Sequence, residues 1–395
     1  MEAYMDNAAT TKMSSAAIKA MLPYLEEEYG NPSSLHSRGQ KAAEALESAR
    51  KMVAECLGAL PKEIYFTSGG SEADNQAILS AAMIGLRKGK KHIVTTAFEH
   101  HAVLHTLLKL EKQGFDVQYL SVGKQGNVSA EQVAKAIRED TCLVTMMTAN
   151  NEIGSILPIA EIGAVCREKK VLFHTDAVQA VGHIPVNVQE MKADMLSMSA
   201  HKFHGPKGVG VLYAKSGIAL TNLIEGGAQE RGKRAGTENV AGIMGMAVAL
   251  REATNHLSDN MKKVSALRDK LIAGLLKIPH CVLNGDPVHR LPGNVHFCFE
   301  GIEGESLLLL LDEFGVQGSS GSACTSGSLD PSHVLLAIGH PHEIAHGSLR
   351  LTLSEYTTEQ EVDLALDAVP KVVERLRSMS PIWRDKVNGN KPFIL

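Results

Sequence analysis

The chain has 395 residues, 44% of them hydrophobic and 4% aromatic, and its 40 Lys and Arg against 44 Asp and Glu leave a formal charge of −4. That length supports a core without help from disulfides or metals, and the composition excludes a disordered protein. The charge balance gives no global pull toward nucleic acid or anionic membrane, and neither a membrane span of 18 apolar residues nor a signal peptide is read from the sequence, so a cytoplasmic protein is expected.

Taken in chain order, the periodicity predicts helices over 14–28 and 37–57, a strand over 63–67, a helix over 72–87, and a strand over 92–96. A helix over 102–113, a strand over 116–120, a helix over 130–138, a strand over 143–148 and a helix over 159–169 follow. Strands over 171–175, 195–199 and 208–213 complete this part. Strands separated by helices predict an α/β fold, a mostly parallel sheet with helices on both faces, which binds ligands beyond the carboxyl ends of its strands.

After Asn255 the texture changes. A charged helix over 259–276, strands over 295–299 and 349–353, and helices over 304–313 and 359–378 predict a smaller α+β unit. The expected division is a large domain over 14–255 and a small domain built from 1–13 and 256–395. Residues 318–328 are rich in Gly and Ser and have the composition of a flexible loop.

Three features carry chemistry. The strand Ile64-Tyr65-Phe66-Thr67 runs through Ser68-Gly69-Gly70-Ser71 straight into a helix, and free N–H groups at that helix start, with the Ser71 hydroxyl, suit an anion. The plainer reading is a strand–turn–helix connection with Ser71 as the cap. The strand ending in Asp176 puts a carboxylate at the ligand edge of the sheet, where it needs a cationic partner or serves as a cap. The strand ending in Ser199-Ala200-His201-Lys202 puts an amine after a buried segment, which favours imine chemistry, although a strand-end lysine is usually just exposed. Together, an anion site, an acid, and a lysine 26 positions beyond it are the parts that pyridoxal 5′-phosphate requires: a phosphate cradle, a partner for the pyridine nitrogen, and a Schiff-base amine.

The sequence resembles the NifS/IscS-like cysteine desulfurases of the class V aminotransferase group, fold type I. The likeness rests on Asp6-Asn7-Ala8-Ala9-Thr10-Thr11, Gly30-Asn31-Pro32-Ser33-Ser34, Phe66-Thr67-Ser68-Gly69, Glu99-His100 and Asn150-Asn151-Glu152-Ile153-Gly154. It continues through Asp176-Ala177-Val178-Gln179, His201-Lys202, Gly226-Gly227-Ala228-Gln229-Glu230-Arg231, Gly236-Thr237 and Gly321-Ser322-Ala323-Cys324.

The resemblance implies that Lys202 forms the imine with the cofactor and moves protons, that Asp176 pairs with the pyridinium, and that Gln179 bonds the ring hydroxyl. It implies that His100 stacks on the ring, that Gly70, Ser71, Ser199 and His201 hold the phosphate, and that Asn151 contacts cofactor and substrate. Thr237 would reach the phosphate of a partner subunit, which makes a homodimer obligatory, and Arg350 would clamp the substrate carboxylate. Cys324 would attack the sulfur of L-cysteine, giving L-alanine and a persulfide for an acceptor such as an iron–sulfur scaffold or a tRNA-thiolation protein. The docking surfaces expected for that acceptor are the Cys324 loop and the carboxyl-terminal segment from Ser380, which holds the single Trp. Related readings are a selenocysteine lyase or other enzyme using the same cofactor, and a delivery protein whose weak turnover depends on its partner.

The chain departs from the family at Gly69-Gly70-Ser71, where Gly-Ala-Thr is common, at Ala200, where Gly is usual, and at Ser354-Glu355, where many relatives carry Gly-Arg. The last change is expected to put a negative charge near the substrate end. The other five cysteines, Cys56, Cys142, Cys166, Cys281 and Cys298, form no Cys-x-x-Cys pair and read as small hydrophobes. His101 and His105 have helical spacing, and His340, His342 and His346 cluster, but neither set offers a metal-site motif, and no metal is expected.

Overall fold

The computed structural model describes residues 2–320 and 331–395. Its main sheet has seven strands in the order Ile64–Thr67, Gly210–Ala214, Met195–Ser199, Leu172–Asp176, Thr141–Thr145, His92–Thr96 and Asp116–Leu120. Within it Gly210–Ala214 runs against both neighbours, while the pairings from Met195–Ser199 outward to Asp116–Leu120 are parallel. The expected α/β architecture is therefore present, with central strands buried along their whole length and correspondingly apolar. Strands His92–Thr96, Asp116–Leu120 and Met195–Ser199 and helices Ser37–Leu57, Ile159–Lys169 and Gly304–Glu313 have the bounds the sequence predicts.

Differences arise where burial hides the period. Helix Val240–Asn255 is absent from the sequence reading because it is rich in Ala, Gly and Met and buried on most of its surface, so no polar face marks it. It packs on Ser15–Glu26 and Ser37–Leu57. Helix Gly70–Arg87 starts two residues earlier than predicted: its cap is Gly69, with no side-chain cap bond, and not Ser71.

A second core gathers Met5, Leu271, Phe297, Phe299, Leu307, Leu351 and Val369. It lies against the antiparallel strands Cys281–Leu283, Asn294–Phe299 and Ser348–Thr352. The amino-terminal strand Ala3–Tyr4 pairs with Val316–Gln317. From there the chain threads toward the main sheet. Asn7 Nδ2 donates to the Thr352 carbonyl (2.7 Å), and the Thr11 N–H donates to the carbonyl of His201 (2.9 Å). Residues 3–11 thus stitch the small sheet to the segment that bears Lys202.

Candidate active site

The acid, the amine and the helix start meet at one edge of the main sheet, around a cavity of about 410 Å³. Gly70, Ser71, His100, Asn151, Asp176, Gln179, Ser199, His201, Lys202 and Arg350 all line it. Two further expectations fall elsewhere. Thr237 is exposed and does not line the cavity, and Cys324, with its Gly321-Ser322-Ala323 context, lies outside the described residues.

Asp176 closes the strand Leu172–Asp176, and its Oδ1 accepts the Val178 N–H at 2.9 Å. Burial lifts its pKa to about 6, against the Val178 bond and the charge of Lys202, which both pull it down. Lys202 ends the short helical turn Ala200–Lys202 that follows Met195–Ser199. Its Nζ donates to the carbonyls of Ala8 (2.6 Å) and Ala9 (2.8 Å), and Gln179 Nε2 also donates to Ala8 (3.0 Å). Ala8 and Ala9 line the cavity.

His100 caps the helix His101–Glu111, its Nδ1 accepting the Ala102 N–H at 3.1 Å. Burial first, then the positive charge of Lys202, pushes its pKa down to about 4, so the ring is neutral near pH 7. His201 is lowered to about 4 for the same two reasons, with Lys207 adding to them.

Arg350 sits on Ser348–Thr352, paired opposite His296. Its Nη1 donates to the Asn151 carbonyl and its Nη2 to Asp6 Oδ1, each at 3.0 Å. Its Nε is buried with no acceptor among the described residues. A guanidinium that lines a cavity and keeps one N–H without a partner there suits a carboxylate ligand.

Asp74 was missed by the sequence reading. It also lines the cavity, fully buried, with Oδ1 3.6 Å from His174 Nε2. Burial and the neighbouring Asp176 raise its pKa well above the usual carboxylate range. The available signal was its position three residues after Ser71, on the same face of one helix.

Glu355 corrects another expectation. It does not line the cavity; its Oε2 lies 3.1 Å from His204 Nε2. The rings of His101 and His105 are 5.0 Å apart and those of His101 and His333 4.7 Å, yet no group of three metal-ligating side chains occurs among the described residues. Trp383 packs within the chain, edge-on to His280 and Phe393, with Arg377 4.0 Å above its ring. Burial raises the thiol pKa of Cys142 to about 11 and of Cys166 and Cys298 to about 12, and also raises Cys56 and Cys281.

These residues fit pyridoxal 5′-phosphate. The uncapped start of Gly70–Arg87 offers first-turn N–H groups beside the Ser71 and Ser199 hydroxyls. A Cβ on Gly70 would fall 2.6 Å from Val178 Cγ2, so glycine lets this helix start approach the Asp176 turn. A buried acid, a flat neutral imidazole and a primary amine complete the donor set.

The aminotransferase class-V family matches residues 3–365. A protein called cysteine desulfurase IscS from Clostridium botulinum is 54% identical over 393 residues, 99% of each chain. One of the same name from Methanosarcina thermophila is 54% identical, over 96% of this chain and 94% of its own. Among solved structures, a NifS-like protein superposes with a TM-score of 0.89 at 39% identity, over 95% of this chain and 100% of that one. A structure described as SspA in complex with cysteine gives 0.80 at 36% identity, over 90% and 100%. The chain belongs to the class V aminotransferase family, in its NifS/IscS-like cysteine desulfurase branch.

Proposed function

We propose that the protein is a pyridoxal 5′-phosphate-dependent cysteine desulfurase that converts L-cysteine to L-alanine and a Cys324 persulfide. The observation that carries this reading is the convergence of Lys202, Asp176 and the open helix start at Gly70 on one cavity that Arg350 also lines, its Nε having no acceptor among the described residues. When bound, the cofactor supplies an electron sink for the Cα of an amino acid.

The chain's own residues do the rest. Gly70, Ser71, Ser199 and His201 bind the phosphate. Asp176 keeps a proton on the ring nitrogen, and Gln179 faces the ring hydroxyl. His100, neutral near pH 7 with Nδ1 accepting the Ala102 N–H, covers the ring and presents its Nε2–H as a donor. Lys202 Nζ anchors the cofactor and carries the substrate α-proton. Asn151 and Arg350 orient the substrate, Arg350 through its carboxylate. The Cys324 thiolate forms the new S–S bond as the substrate C–S bond breaks, and proton return at carbon gives L-alanine. None of the five described thiols lines the cavity, and burial keeps each protonated near pH 7.

The reading includes a homodimer. Leu25, Tyr29 and Leu35 are 59%, 67% and 92% exposed, apolar side chains that a second copy would cover, and the exposed Thr237 is available to a neighbouring cavity. It also includes the division into 14–255 and 1–13 with 256–395, supported by the second core. The persulfide passes to a sulfur acceptor, such as an iron–sulfur scaffold, docking near Cys324 and the carboxyl-terminal segment. A reducing cytoplasm suits such a thiol. No helix among the described residues is long and apolar enough to cross a membrane.

The test is Cys324→Ala. It should keep the cofactor absorbance near ~400 nm and lose alanine and sulfide formation from L-cysteine. Full activity in that variant defeats the persulfide step, and a preference for L-selenocysteine over L-cysteine in the wild type would make the protein a lyase.

A further inference from the structure

His204 lies two residues beyond Lys202 and is held on every side. Its backbone is left-handed, with φ of 64°, a conformation that costs a residue with a side chain and persists only where its surroundings impose it. Its N–H donates to Thr11 Oγ1 (2.8 Å) and its carbonyl accepts the Ser14 N–H (2.9 Å). The ring is what matters most. Nδ1 lies 2.8 Å from the Lys12 carbonyl oxygen, and Nε2 lies 3.1 Å from Glu355 Oε2. A carbonyl oxygen and an ionised carboxylate can only accept. Both ring nitrogens therefore donate, and His204 is an imidazolium.

Glu355 follows the strand Ser348–Thr352 that carries Arg350. Lys202, for its part, is fixed through the same amino-terminal thread, by Ala8 and Ala9 at its amine, and through His183, whose Nε2 donates to its carbonyl at 2.9 Å. The bond between Glu355 and His204 thus joins the strand that orients the substrate carboxylate to the segment that bears the amine.

We propose that His204 and Glu355 are positioning residues that set the spacing between Lys202 and Arg350, and that the clasp opens when His204 loses its proton. This rests on the reading above of Lys202 and Arg350 as the two ends of the substrate site.

The charges around the ring agree. Glu355 and, from the helix Val240–Asn255, Glu252 favour the imidazolium, outweighing burial, and hold the pKa of His204 above its ordinary 6.5. His183, across the turn, opposes it weakly, and Tyr356 packs edge-on at 4.8 Å without charge. Lys263 donates to the backbone carbonyl of Glu355 (2.6 Å) and so holds that turn rather than neutralising the carboxylate. Glu355 is held below its ordinary 4.5, chiefly by its bond to His204 against the burial that would raise it. The clasp is therefore complete between 4.5 and 6.5 and fades as pH rises through the elevated pKa of His204; on the acid side it survives until Glu355 is protonated below 4.5.

The test is a pH titration of the ¹⁵N-histidine-labelled holoenzyme. The His204 resonance is assigned by its absence in His204→Gln or, should that variant not fold, in His204→Asn. In the wild type the midpoint should lie above 6.5; in Glu355→Gln it should fall, and Glu355→Asp should restore part of the elevation. KM for L-cysteine should rise several-fold across that midpoint in the wild type, and should already be raised at pH 7 in Glu355→Gln, with kcat changed less. A wild-type midpoint at or below 6.5, or one that Glu355→Gln leaves in place, overturns the proposal, as does a KM profile shared by both proteins. The titration needs no turnover. A missing ~400 nm band therefore defeats the cofactor reading, while an ordinary His204 midpoint defeats the clasp.

Discussion

Asp176 is caught between burial, which disfavours its charge, and the role proposed for it, which needs that charge. Before cofactor binds, its raised pKa means that the folded chain takes up a proton more readily than the unfolded one. Its contribution to stability is then full below the ordinary 3.8 and is lost as pH rises through about 6. In cofactor-free protein, the unfolding free energy of the wild type should fall relative to Asp176→Asn over that range. The ceiling is roughly 3 kcal/mol from the pKa difference, read by urea titration at a series of pH values. With cofactor bound, the carboxylate gains a cationic neighbour and the difference should shrink. The placing of Asp176 and Lys202 at the cavity was legible in the sequence because one closes an apolar strand and the other follows one within three residues, and strand ends are where such sheets bind ligands. The partners of Lys202 were not, since Ala8 and Ala9 lie 194 and 193 positions away and contribute only carbonyls, which any residue has. Glu355 misled for the same reason: its chemistry is visible in the sequence, but the imidazole it serves is 151 positions distant.

At the scale of elements, the start of Gly70–Arg87 depends on one close approach and the segment before Thr237 on a set of buried polar contacts. Gly70→Ala should push Val178 and the Asp176 turn away from the helix start, weakening cofactor affinity by roughly tenfold, about 1.4 kcal/mol. Val178→Ala in the same protein should recover most of that, measured by equilibrium cofactor binding. In the second segment, Glu230 and Arg231 are consecutive left-handed residues, with φ of 45° and 57°. The bidentate pair between Arg50 and Glu230, at 2.8 and 2.9 Å, and the Arg231 guanidinium 4.1 Å over Tyr65 hold them there. Glu230 also accepts the Phe66 N–H at 2.9 Å. Glu230→Ala removes the bidentate partner of a buried Arg50 and leaves it only the exposed Glu47 and the Ile64 carbonyl, which should cost about 3 kcal/mol in denaturant unfolding. The motif Gly226–Arg231 could be read as a turn from its glycines. That its acid is an internal counter-ion could not, because Arg50 appears only as one charge on an amphipathic helix.

At the scale of the molecule, the exposed Leu25, Tyr29 and Leu35 belong to a dimer in the reading given above. Leu25→Asp with Leu35→Asp should give a monomer by light scattering. If Thr237 completes the neighbouring site, that monomer should also release cofactor more readily, at concentrations where the wild type retains it. The change of texture after Asn255 and the assignment of residues 1–13 to the later part of the chain both came from the sequence, whereas the strand Ala3–Tyr4 that places Ala3 and Met5 in the second core did not, because a two-residue strand has no period to read.

The thread also sets an order of events in synthesis. Asn7 bonds Thr352, 345 positions later, and Ala3 pairs with Val316. The loop that such contacts close is nearly the whole chain, so they form late. While the ribosome is still extending the chain, the first dozen residues have nothing to dock on, and the carbonyls of Ala8 and Ala9 are not yet beside Lys202. The main sheet has its strands in hand by Ala214, long before Arg350 is made. Nascent chains stalled short of residue 350 should therefore acquire a folded sheet but not a finished binding site, and cofactor capture becomes a step that follows release rather than one that guides folding.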